Sequence, residues 1–349
     1  GGPAYYIKNG LKSKRMAMFF AVTCIFALGI VGIMVQSNSI AVSVNDAFGL
    51  PVSITSIVLA IVVALILVGG MGRIASFAEK IVPFMAGFYI VGSLVIVLIN
   101  IGSFIPAMKS IFVGAFKPSA IGGGVLGITI QQTIRFGLAR GLFSNEAGMG
   151  STPHSHAVAD TDHPAEQGFT AMTGVFISTF LICLSTVMVN ITSGAYNPNI
   201  PAAEMAQTAT VMTQTGFASG FGTFGGMFLS ICLSFFSLTT IVGWYFFAES
   251  NVKYVFNSNP ITLNGFKALV IVALVIGTMI DPGFVWNLAD MFMGIMAMPN
   301  IIVLFLLSKE VVEILNDYDD CINKGRIHWE YQFENVDAEK VKRSPKLRK

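Results

Sequence analysis

The sequence is short of charge. Only 11% of its 349 residues are Asp, Glu, Lys or Arg, where a soluble domain carries about 25%. Residues 16–35, 81–108, 168–203 and 205–248 contain none. With 54% hydrophobic residues and a mean hydropathy of +0.72, these stretches are too long for a soluble core. A bilayer-spanning helix needs about 20 apolar residues. Lipid offers no hydrogen-bond partners, so each span is a helix or part of a closed barrel. Barrel strands alternate over about 10 residues, and these continuous runs do not. The chain therefore reads as an all-α polytopic membrane protein.

Other absences narrow the function. Cys24, Cys183 and Cys232 lie in apolar runs and Cys321 in the polar C-terminal part. Their spacings give neither a disulfide framework nor a metal motif, so they read as small packing residues. No G-x-x-x-x-G-K-[ST] loop is present, which argues against ATP as the energy source. No H-E-x-x-H cluster lies in a span, which argues against an intramembrane metallohydrolase. His154 and His156 stand near Asp160, Asp162 and His163. Helical i and i+2 positions do not face each other, and no metal site is expected. No enzyme activity, cofactor or nucleic-acid partner is expected. The chain begins with Gly and shows no signal peptide, so a fragment or trimmed chain is expected.

About eight spans are expected, near 16–35, 53–72, 81–102, 119–142 (continuing irregularly to about 158), 168–192, 222–248, 266–281 and 283–308. Residues 1–308 then form the transmembrane domain. Residues 309–349 form a polar cytoplasmic tail, solvated or disordered, whose basic end can touch anionic lipid. With the N-terminus inside, 19 Lys and Arg residues are cytoplasmic and two, Lys109 and Lys117, are external. This positive-inside bias places both ends of the chain in the cytoplasm of a multi-pass protein of the cell (inner) membrane.

Residues 118–158 depart from the other spans. They carry Gly122, Gly123, Gly124, Gly127, Gly137, Gly141, Gly148 and Gly150 among the polar Gln131, Gln132, Arg135, Arg140, Asn145 and Glu146. Glycine weakens a helix by about 1 kcal/mol, and polar groups at membrane depth usually face a cavity. Such a broken helix points to a transporter site, where opened backbone N–H and C=O groups hold a substrate carboxylate and a cation. A re-entrant loop without a ligand is the alternative. A pore loop repeated across subunits would suit a channel better than this single asymmetric break. The broken segment and the four spans after it make a unit of five, with only three spans before it. An inverted repeat of five and five needs two more upstream, so the fold reads as a partial five-plus-five inverted-repeat symporter.

The run GLARGLFSNEAGMGSTPHSHA at 137–157 resembles the signature of the alanine or glycine:cation symporter family. So do GGPAYYI at 1–7, VQSNSIA at 35–41, LTTIVGWYFFAE at 238–249 and VWNLADMFMGIMAMPN at 285–300. These stretches keep the family's order over almost the whole chain except the tail. The resemblance implies about eleven spans in two inverted repeats, and uptake of alanine or glycine with Na⁺, in some members H⁺. It also implies an upstream part holding the first broken helix and an acidic residue facing the substrate amine. Phe246, Phe247, Ala248 and Ser250 stand where the family pattern has Tyr, Tyr, Gly and Arg.

Thr239, Thr240 and Trp244 lie in one span, with Thr240 and Trp244 on one helix face. Hydroxyl oxygens suit Na⁺, and an indole can wall off a methyl side chain. By resemblance Thr239 and Thr240 bind the ion, and Thr240 and Trp244 line the substrate pocket. Ordinary interhelical packing, where Thr is common, is the alternative. Phe143, Ser144 and Asn145 are further substrate candidates. Glu146 either pairs with Arg140 or accepts a coupling proton. Gln36 and Asn38 close the first span on the outside, and either reach substrate or merely end a helix. Asp290 is a proton site or bonds to a neighbouring helix. The expected function is Na⁺-coupled uptake of alanine or glycine by alternating access. The alternatives are H⁺ coupling and a truncated, transport-inactive piece of such a symporter.

Overall fold

A computed structural model describes residues 1–116, 126–197, 200 and 202–323, and contains helices but no strand among them. In chain order the helices are α1 (Pro3–Gly10), α2 (Lys14–Phe48), α3 (Val52–Val68), α4 (Gly70–Ile99), α5 (Phe104–Phe116), α6 (Leu126–Asn145) and α7 (Pro153–His156). After these come α8 (Pro164–Thr192), α9 (Ala202–Phe221), α10 (Thr223–Val255), α11 (Pro260–Met279), α12 (Pro282–Leu306) and α13 (Ser308–Asn323). Among the described residues, six helical segments are long and apolar enough to cross a membrane: α2, residues 79–99 of α4, α8, α10, α11 and α12. The apolar segments Val52–Val68 and Ile101–Val113 are shorter. The chain is a multi-pass α-helical membrane protein.

Helix limits differ from the hydropathy runs because caps, not apolarity, start and stop helices. The run 16–35 continues through a polar stretch to Phe48 and ends at Gly49, whose φ of 66° only glycine adopts easily. The loop expected at 36–52 therefore shrinks to three residues. α11 and α12 begin several residues and one residue earlier than the runs suggest. Asn259 and Asp281 cap them through Ile261 N and Phe284 N, each ahead of a proline at the first position. α5 and α9 occupy stretches read as loops. The fourth expected span is described only from Leu126, and Gly122, Gly123 and Gly124 lie outside the described residues. The tail begins with a helix, α13, rather than as disordered chain.

α10 is the axis of the packing. Its Trp244 and Phe247 join α1, α2 and α12 in one apolar cluster. Ile241, Val242 and Tyr245 join α2, α3 and α11 in a second. Phe228, Leu229 and Cys232 join α4, α8 and α9 in a third. Two close approaches make this possible. A Cβ on Gly32 would lie 2.6 Å from the Trp244 ring, and one on Gly277 would lie 2.5 Å from Met34 Cα. Gly32 ends a π-helical turn, Ala27–Gly32, in the middle of α2. A second π turn, Ile177–Cys183, interrupts α8; such turns are frequent at functional positions.

Candidate functional site

α6 stops at Asn145, and residues 146–152 form a non-helical hinge before the short α7. Within five residues the backbone takes three left-handed conformations, at Glu146 (φ 55°), Gly148 (79°) and Gly150 (91°). Glycine adopts such angles freely; a glutamate does so only when its surroundings fix it. Here they do. Trp244 Nε1 donates to Glu146 Oε1 at 2.6 Å, and Ser151 Oγ donates to Oε2 at 2.5 Å. The hinge backbone is held from the other side. Asn300 Nδ2 on α12 donates to the Gly148 carbonyl at 2.8 Å. The Tyr6 hydroxyl on α1 donates to Asn300 Oδ1. A Cβ on Gly150 would meet the Phe20 ring at 2.8 Å, so a side chain there is blocked by contact as well as by φ.

Glu146 therefore pairs with Trp244 and Ser151, and Arg140 turns elsewhere. Its Nη1 and Nη2 donate to Asp290 Oδ1 and Oδ2 on α12 at 3.1 Å each. Phe143 stands between two indoles, edge-on to Trp244 at 5.4 Å and tilted against Trp286 at 4.9 Å. Ser144 and Asn145 project to the opposite side, toward α8. Asn145 Oδ1 accepts from Thr179 Oγ1 at 2.6 Å and from Ser178 Oγ at 3.4 Å. Ser144, Asn145 and Glu146 line one wall of a cavity of about 800 Å³, and Thr170, Ser178 and Thr179 of α8 line the other.

The remaining sequence candidates, Thr239, Thr240, Asn38 and Gln36, are not among the residues lining this cavity. Thr239 donates to the Phe235 and Phe236 carbonyls and Thr240 to the Phe236 carbonyl at 2.9 Å. Both hydroxyls thus donate within α10 itself. Asn38 is a bolt between helices: Nδ2 donates to the Gly277 and Ile280 carbonyls at 2.9 and 2.8 Å, satisfying the open C-terminus of α11. Gln36 is half-buried on the same helix.

Two features were not legible in the sequence. His154 donates from Nδ1 to the Ser151 carbonyl at 2.7 Å and accepts at Nε2 from Asn251 Nδ2 at 2.8 Å. It lies between the rings of Phe20 and Phe247, so α7 is fastened to α2 and α10. His163, Asp317 and Cys321 bring one ligand atom each within 4.8 Å of one another, across 154 residues between His163 and Asp317. The His163 ring does not suit a metal there. Its Nδ1 accepts the Ala165 amide at 3.1 Å, so in the neutral ring Nε2 carries the proton and faces Asp317 Oδ2 at 3.4 Å. The histidine caps α8 and ties it to α13. The H-x-H spacing carried no signal for either arrangement, because the partners come from other helices.

A family model described as the sodium:alanine symporter family matches residues 1–332. Among curated relatives, the sodium/alanine symporter AgcS of Methanococcus maripaludis is 40% identical over 317 residues, covering 89% of this chain and 68% of the relative. The amino-acid carrier protein AlsT of Bacillus subtilis is 36% identical over 319 residues, covering 91% of this chain and 66% of the relative. The probable sodium/glutamine symporter GlnT of the same organism is 36% identical over 319 residues, covering 91% and 64%. The chain spans about two thirds of the length of the curated relatives it matches.

Proposed function

Because this chain belongs to the sodium:alanine symporter family, we propose that it serves Na⁺-coupled uptake of alanine or glycine by alternating access. The observation that carries the reading is the hinge at 146–152. It is a stretch of opened backbone between a helix end and a helical stub, held by α1, α10 and α12 and bordered by a cavity. Opened backbone at such a break offers polar groups to a zwitterion that lipid-facing helices cannot. A substrate carboxylate held by N–H groups there selects against amines lacking one, because the buried donors would go unpaired.

In this reading Thr239 and Thr240 present hydroxyl oxygens to the ion. Trp244 and Phe143 bound the side chain of the substrate. Ser144 and Asn145 face the cavity. Glu146 fixes the hinge by accepting from Trp244 and Ser151. Asn38 and Gln36 act from α2, Asn38 by holding the end of α11. α6, α8, α10, α11 and α12 correspond to the five spans of one repeat, and α2, α3 and α4 to three spans of another, as in a five-plus-five inverted repeat. On the positive-inside bias, both ends of the chain lie on the cytoplasmic side of the cell membrane. Proton coupling is a rival for the ion, with Glu146 and Asp290 as its carboxylates. The similarity to GlnT makes glutamine the rival substrate.

The test is uptake of labelled alanine, glycine and glutamine into proteoliposomes with and without an inward Na⁺ gradient. It is run with residues 1–349 and with the full-length gene product. Na⁺-driven alanine or glycine uptake is expected. Uptake driven by a pH gradient alone would replace the ion, and preference for glutamine would replace the substrate. Folded protein that moves none of the three sinks the assignment. Uptake only by a longer gene product would mark residues 1–349 as insufficient for transport. Glu146→Gln keeps the shape but not the charge, and is expected to lower alanine uptake by at least about tenfold, roughly 1.4 kcal/mol.

A further inference from the structure

Trp244 is a fixed wall. Its ring is packed against Gly32 of α2, and its Nε1 is committed to Glu146. Phe143, the opposing ring, rides on α6, which among its described side chains is tied to α8 through Asn145 and to α12 through Arg140. Ile134 and Leu138 on α6 are 55% and 63% exposed. The side chain that ties this helix to α12 is Arg140. Both ends of its fork meet Asp290 at 3.1 Å, and its guanidinium carbon stands 4.3 Å from the centre of the Trp286 ring. Trp286 in turn contacts Phe143 at 4.9 Å. A continuous line therefore runs Asp290, Arg140, Trp286, Phe143, Trp244, from α12 through α6 to α10.

We propose that Arg140 is a positioning residue: clamped by Asp290 and stacked on Trp286, it sets how far Phe143 stands from Trp244 and so sets the size of the side chain that the site admits. The inference rests on the reading of Phe143 and Trp244 as the walls of the substrate pocket. Arginine is the residue the position needs. A planar guanidinium forms two parallel hydrogen bonds to a carboxylate and stacks on an indole at the same time, and an ammonium does not. Were the pair only a clasp between α6 and α12, its loss would slow the uptake of every substrate alike. As a positioning device it acts on discrimination, because releasing Phe143 widens the space beside Trp244 and leaves the polar contacts at the hinge in place.

The experiment measures the KM of the full-length protein for alanine and for glutamine in proteoliposomes, in wild type and in Arg140→Gln, Asp290→Asn, Arg140→Lys and the exchanged pair Arg140→Asp/Asp290→Arg. The ratio of the glutamine KM to the alanine KM is expected to fall at least tenfold in the first three. Recovery toward the wild-type ratio is expected in the exchanged pair, which rebuilds the bridge from the other side. An unchanged ratio, with maximal uptake lowered equally for both substrates, overturns the proposal. A second readout does not use transport. Residues 1–349 hold three tryptophans, and in a Trp329→Phe variant of residues 1–349 the emission comes from Trp244 and Trp286. Arg140→Gln and Asp290→Asn are expected to red-shift it, and no shift overturns the brace even if transport is as proposed. Wild-type protein that transports neither substrate, with the red-shift present in the two variants, overturns the transport reading and the selectivity role with it.

Discussion

α2 and α8 are alike in sequence character and opposite in placement. They are 35 and 29 residues long, each is interrupted by a π turn, and the mean hydropathies of their apolar 18-residue windows are 2.6 and 2.1. Yet 67% of the apolar window of α2 is buried in the protein, against 11% for α8. Small residues make the difference. α2 brings Gly29, Gly32 and Ser37 to the faces where α10 and α11 approach. α8 turns Phe169, Met172, Phe176 and Phe180 outward, each at least 45% exposed. Lipid solvates a leucine as well as another leucine does, so close backbone approach, not hydrophobicity, holds helices together in a bilayer. The scaffold helix and the helix bordering the cavity are separated by that criterion, and the hinge at 146–152 lies between them.

The largest expected effect is steric. Gly277→Leu drives a side chain into the backbone of α2, and Gly32→Leu drives one into Trp244. Overpacking of this kind costs about 1–3 kcal/mol or more. Both should melt several degrees below wild type in detergent by scanning fluorimetry. Gly174→Leu on α8, where no atom lies within 4 Å of the added Cβ, should melt with wild type; equal losses at all three positions would erase the contrast between the helices.

Asn38→Leu removes both hydrogen bonds to the end of α11. Intramembrane hydrogen bonds are worth about 0.6 kcal/mol on average and at most about 1.7. A loss of about 1–2 kcal/mol is expected in the same assay. Thr170→Val on α8, which breaks only a bond to the helix's own Glu166 carbonyl, should change almost nothing. The smallest effect falls on the junction itself. Asn145→Ala leaves Thr179 without its cross-helix acceptor, at a cost of about 0.6 kcal/mol. It should appear as modestly faster maleimide labelling of Cys183, measured with Cys24, Cys232 and Cys321 changed to alanine. Unaltered labelling would mean that α8 is held against α6 by something other than this contact.

The break after α6 was legible because its causes are local. The left-handed conformations fall at Gly148 and Gly150 as their type demands, whereas Gly127, Gly137 and Gly141, read with them as helix-weakening, lie within the unbroken α6. The role of Glu146 was not legible. From the sequence its nearest basic candidate was Arg140, six residues away, whereas its donors are Ser151 and a tryptophan 98 residues on. Asn38 read evenly as a substrate contact or a plain helix end. It serves a carbonyl terminus 239 residues distant. α13 was read as tail because its charge masks an apolar stripe, which a window average cancels and a helical period reveals.

The sequence by itself determined the membrane class, the helical state of the spans, the position of the break and, through long motifs kept in order, the family. These are properties of short windows: the bilayer judges each stretch of about 20 residues on its own apolarity. The tertiary structure decided which polar groups meet. Arg140 found Asp290 rather than Glu146, Glu146 found Trp244, and His163 found Asp317, across separations of 150, 98 and 154 residues. In a medium without water a polar side chain is satisfied by whatever helix packing brings beside it, and only close packing of whole helices fixes that neighbour.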